Sequence, residues 1–95
     1  MARKTVPFNE TGIGRLPNDK PVVYKVLTDG GRNNYTGVAK RGRVQERLRE
    51  HLAGGRDPVP GTKVQIEQMA SIEDARAKET RVIKRTKPPH NQQGK

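Results

Sequence analysis

The sequence contains no cysteine and no tryptophan, and its aromatic residues are limited to Phe8, Tyr24 and Tyr35. Without thiols there can be neither a disulfide staple nor a thiolate metal site. Two histidines far apart, His51 and His90, leave no basis for a structural zinc cluster. Hydrophobic residues make up 29% of the chain against 32% charged, so 95 residues can build one domain with a thin core. No apolar run approaches the roughly 18 residues of a membrane span. The first eight residues lack the apolar core of a secretory signal. The expectation is a soluble, cytoplasmic protein. Residues 1–20, with scattered Pro, Gly and Asn, read as a partly ordered extension, and residues 92–95 as a polar tail.

Acidic residues are also scarce. Ten stand against twenty Lys and Arg, for a net charge of +10. Two stretches carry most of the excess, residues 40–56 and 76–87, with six bases in each. Charge runs often do no more than keep a surface solvated. A net charge this large on so small a chain favours a polyanionic partner. Nucleic acid fits better than an anionic membrane, because no helix combines a strong apolar face with bulky anchors.

What remains is patterned. Residues 22–27 form a β-rich run of strand length after Pro21, and residues 34–39 a second. The turn between them contains Gly30-Gly31, which tolerate positive φ. Centring the turn there sets Val26 opposite Tyr35 and Tyr24 opposite Gly37, with the two tyrosines on one sheet face. Residues 43–53 show a helical stripe of Val44, Leu48 and Leu52, stopped by Gly54-Gly55. Arg47 and His51 lie one turn apart and border that stripe. A third strand spans 63–69. Ser71 is positioned to cap a helix reaching about residue 85, ended by Pro88-Pro89. Its apolar stripe is Ile72, Ala75, Val82 and Ile83, and Glu79 falls within it. The expected fold is α+β, a small three-stranded antiparallel sheet flanked by helices over residues 21–91.

Each polar residue also has a plain structural role open to it. Strand tyrosines commonly fill a core with the hydroxyl at its edge, and a histidine near a helix end often caps or packs. A carboxylate on an apolar stripe is costly unless it is protonated, paired or metal-bound. In a chain this basic, a salt bridge from Glu79 to an arginine would serve. Asn91 reads equally well as a turn residue.

Taken in order, Val22-Val23-Tyr24, Tyr35-Thr36-Gly37, the helix bearing Arg47 and His51, and the block from Glu79 to Pro88-Pro89-His90-Asn91 resemble the GIY-YIG nuclease family. The resemblance implies a metal-dependent endonuclease hydrolysing DNA phosphodiester bonds with low sequence specificity. It implies catalytic roles for Tyr24, Tyr35, Arg47, His51 and Glu79, and a Mg2+ or Mn2+ ion held by Glu79. Gly37 and Asn91 would support the site, and Lys40, Arg41, Arg43 and Arg81 would contact nucleic acid. Branched or nicked DNA, or a protein partner supplying the target, would suit a module with no separate recognition domain; RNA stays open. The alternatives are a non-catalytic nucleic-acid-binding protein on the same scaffold and a small basic RNA-associated protein.

Overall fold

The structure, a computed structural model, describes residues 3–52, 55 and 58–87. In chain order the elements are β1 (Arg3–Pro7), α1 (Glu10–Ile13), β2 (Val22–Leu27), β3 (Asn33–Ala39), α2 (Val44–Glu50), β4 (Lys63–Gln68) and α3 (Ile72–Thr86). The strands form one antiparallel sheet in the order β1-β4-β2-β3. The α+β class is therefore as expected, but the sheet has four strands rather than three. The strand missing from the sequence reading is β1. It buries one side chain, Val6, so it carries no alternating pattern, and it exists because it completes the edge of β4. Among the described residues no helix is long and apolar enough to cross a membrane.

Alternation along β2 sorts the core into two layers. Val22 and Tyr24 face α1 and α2, packing with Val6, Ile13, Leu16, Ala39, Val44, Leu48, Val64 and Ile66. Val23 faces α3, with Met69, Ala75, Val38 and Ile72. The segment read as an extension thus contributes Val6, Ile13 and Leu16 to the larger layer.

The β2–β3 hairpin has the register its turn predicts. Tyr24 lies opposite Gly37 and Val26 opposite Tyr35, with an irregularity between Val26 and Leu27. Thr28 N–H donates to Arg32 O and Gly31 N–H to Thr28 O, and Gly31 takes φ 88°, a region open to glycine at little cost. At the start of α3, Ser71 accepts from Asp74 N–H at 3.1 Å, the expected cap.

Candidate functional site

The site begins with Gly37. A Cβ placed there would stand 2.5 Å from Tyr24 Oη and 2.6 Å from its Cζ. The Tyr24 ring therefore lies across Gly37, running outward from β2 over the edge strand β3. Any side chain at Gly37 would displace it.

Tyr24 Oη meets His51 Nε2 at 2.8 Å, and both residues are fully buried. Tyr35, half-buried on the same sheet face, completes a cluster of rings. Its centroid is 6.1 Å from that of Tyr24 and 4.8 Å from that of His51. The helical spacing places His51 at the edge of the packed face, yet it is interior. α2 ends at Glu50, His51 occupies the C-cap position, and its carbonyl accepts from the N–H of buried Val59 at 2.9 Å. Its imidazole is engaged inside the core by Tyr24 Oη.

Arg47 remains at the rim. Its Nη1 donates to Glu50 Oε1 at 2.6 Å, with the arginine side chain 38% exposed. Burial draws its pKa down, but Tyr24, the Glu50 hydrogen bond and Tyr35 outweigh this and leave it above the ordinary value. A phosphate entering here competes with Glu50 for a guanidinium that is already oriented.

The surroundings of the Tyr24 phenol displace its pKa from the ordinary tyrosine value. Burial, reinforced by Tyr35, pushes it far above the ordinary tyrosine value, and Arg47 offsets only part of this. Tyr24 therefore stays neutral at physiological pH. It can donate or relay a proton but does not act as a standing phenolate.

Glu79 is half-buried on α3, between buried Ala75 and Val82. α3 packs on the sheet face opposite Tyr24, yet Glu79 is close enough to raise the Tyr24 phenol, by less than burial and Tyr35 do. The four residues Tyr24, Tyr35, Arg47 and His51 converge, while Glu79 approaches from the other layer. Among the described residues no group of three or more His, Cys, Asp or Glu is arranged to hold a metal ion. Asn91 lies outside the described residues.

Of the four bases assigned to nucleic acid, Lys40, Arg41 and Arg43 are neighbours and Arg81 stands apart. Lys40 and Arg43 line a cleft of about 510 Å³ between the end of β3 and α2, together with Arg47, Glu46 and Glu50. Arg41 shares with Lys40 a neighbouring depression lined also by Asp19, Lys20 and Ile72. Arg81 lies on α3, beside Lys78 and Arg85, on the other side of the sheet.

A residue the sequence reading overlooks is Asn18. Its Oδ1 accepts from the N–H groups of Val44 and Gln45 at 2.9 and 3.2 Å, and its carbonyl accepts from Gly42 N–H at 2.7 Å. It caps the helix that carries Arg47, a task Arg43 at the N-cap position does not perform. Gln45 Nε2 adds a bond to Leu16 O at 2.7 Å. The available signal was negative: no capping side chain directly precedes Val44. Comparison of the chain with protein-family models, with curated proteins and with solved structures finds no match.

Proposed function

We propose that the protein is a metal-dependent endonuclease of the GIY-YIG type, hydrolysing DNA phosphodiester bonds with little sequence preference. The observation that carries this reading is the convergence of Tyr24, Tyr35, Arg47 and His51 around one buried hydrogen bond, beside a cleft lined by Lys40 and Arg43. In this reading Arg47 holds the non-bridging oxygens of the phosphate and steadies charge developing there. His51 Nε2 takes a proton while Tyr24 Oη gives one up and takes one from water, a relay in which the phenol never carries a full charge. Tyr35 orients water or phosphate at the mouth of the cluster. Lys40 and Arg43 attract the backbone with no regard to sequence.

Glu79 fits a hard divalent cation in kind, since Mg2+ needs few protein oxygens and retains water and substrate oxygens. When bound, Mg2+ or Mn2+ would supply Lewis-acid polarisation of the phosphate. Branched or nicked DNA, or a target brought by a protein partner, suits a catalytic unit of this size.

A second reading has its own support. Tyr24 and His51 are wholly buried, and Arg47 is held by Glu50. This is also how a non-catalytic nucleic-acid-binding protein, or a small RNA-associated one, would use the same residues to secure its core. Incubation with plasmid and branched DNA separates the two. Nicking or linearisation with Mg2+ or Mn2+, abolished by chelator and by Glu79→Ala, is expected of the nuclease. The variant's DNA affinity should stay level or rise, because a negative charge is removed. Cleavage retained by purified Glu79→Ala overturns the role of the glutamate. Tight binding without cleavage by the unaltered protein favours the second reading.

A further inference from the structure

On the side of the sheet away from the Tyr24 cluster lies a second concentration of positive charge. Lys78, Arg81 and Arg85 share one stripe of α3 and, with Val82, line a cleft of about 240 Å³. Lys25 of β2 alternates to this face, its neighbours Val23 and Tyr24 dividing between the two core layers. Arg3 reaches it from β1, where it pairs with Glu67 of β4. Glu67 gathers the group, bonding Arg3 at 3.5 Å and Lys78 at 3.3 Å. Arg3 and Lys78 thus pair with this one carboxylate and Lys25 feels its charge, while Arg81 and Arg85 flank Lys78 along the α3 cleft.

Lys25 reports the resulting field. Burial lowers its pKa first, and Arg3, Arg85 and Lys78 lower it further, with Glu67 opposing. Cations drawn together against mutual repulsion stabilise an anion that arrives among them. Arg81 and Arg85 are exposed, so a phosphate backbone can reach them.

The cleft holding Lys40, Arg43 and Arg47 runs between α2 and the end of β3, where it also meets Val38 of the α3 layer, whereas the second cleft lies farther along α3, around Lys78, Arg81 and Arg85. The molecule measures 30 × 27 × 24 Å. A straight duplex seated on one surface does not extend round to the other. We propose that the α3 face is a second nucleic-acid surface, and that one molecule holds two duplex segments at once, one at each cleft. This rests on the nucleic-acid part of the proposed function and not on catalysis. It assigns the protein to junctions, crossovers or adjacent helices, where two segments lie close together.

The test uses two short duplexes, one carrying a donor dye and one an acceptor, with the full chain in chelator so that no cleavage step enters. Energy transfer is expected on adding protein, with sedimentation giving a complex of one protein and two duplexes. Arg81→Gln/Arg85→Gln, both at exposed positions, should abolish the transfer while one duplex stays bound. It should also flatten the salt dependence of total binding by up to about two units of log–log slope. Arg43→Gln, at the other cleft, should weaken that site and leave the α3 site intact. A complex limited to one duplex overturns the proposal, as does transfer unaffected by Arg81→Gln/Arg85→Gln, or transfer arising only from paired protein molecules. Acidic peptide binding at the α3 face with no second duplex would assign the surface to a protein instead. Failure to cleave DNA in Mg2+ would count against the nuclease reading and leave this result standing.

Discussion

A phenol with no exposure to water, bonded to an equally buried imidazole, makes Tyr24 sensitive to pH in a defined direction. Its folded pKa lies above the unfolded value of about 10. Below that value the phenol is neutral in both states and its contribution to stability is complete. As pH rises further, the unfolded chain ionises first, so stability is lost progressively towards the folded pKa. Tyr24→Phe removes the bond to His51 and should cost about 1 kcal/mol at neutral pH. Above about pH 10 the gap should narrow or reverse, because the variant has no phenol at this position to ionise. Thermal melts of both proteins across neutral and alkaline buffers check this. An equal decline in both would mean that Tyr24 is more hydrated than its burial indicates. At this scale the residues of the cluster were legible in sequence, since strand alternation and a glycine turn are local. The protonation state was not, because desolvation depends on what α2 and the following chain place over the ring.

At the scale of elements, α2 has seven residues and no side-chain cap of its own. Short helices are marginal without tertiary support, and Asn18 supplies it across a gap in sequence. Asn18→Ala should destabilise the protein by about 1–2 kcal/mol. It should also loosen Arg47 and His51, so that duplex affinity at the Lys40–Arg43 cleft weakens. Asn18→Asp preserves the acceptor and should restore most of both. Chemical denaturation beside duplex titration provides the check. If Asn18→Ala matched the parent in stability, the cap would contribute nothing and the packing of Val44 and Leu48, with the Gln45 bond to Leu16 O, would suffice to hold α2. The contrast with Ser71 is instructive. Ser71 adjoins the helix it caps and could be read from spacing, whereas Asn18 is separated from Val44 by the whole β2–β3 hairpin.

At the scale of the whole molecule, β1 covers the outer edge of β4. Deleting residues 1–7 would expose that edge and remove Val6 from the larger core layer. Losing the buried valine alone should cost about 1.5 kcal/mol, and each kcal/mol lowers Tm by about 4–8 °C in a chain of this size. The truncated protein should also self-associate with rising concentration, through the exposed strand edge. Melting curves and gel filtration at several concentrations test this. An unchanged Tm with a monomeric profile would show that the sheet needs only three strands.

Sequence by itself determined the hairpin and its register, the positions of β4 and α3, the Ser71 cap, and the order in which Tyr24, Tyr35, Arg47, His51 and Glu79 follow one another. These depend on alternation, helical period and turn chemistry, all of which act over a few residues. Tertiary structure decided the fourth strand, the cap on α2, the burial of His51, the raised pKa of Tyr24 and the division of the basic residues between two faces. Each of these is set by groups far apart in the chain, through edge pairing, desolvation and the side of the sheet on which a helix packs. A one-residue step along β2 moves a side chain from the α2 layer to the α3 layer, and only the packed helices show which layer meets which charge.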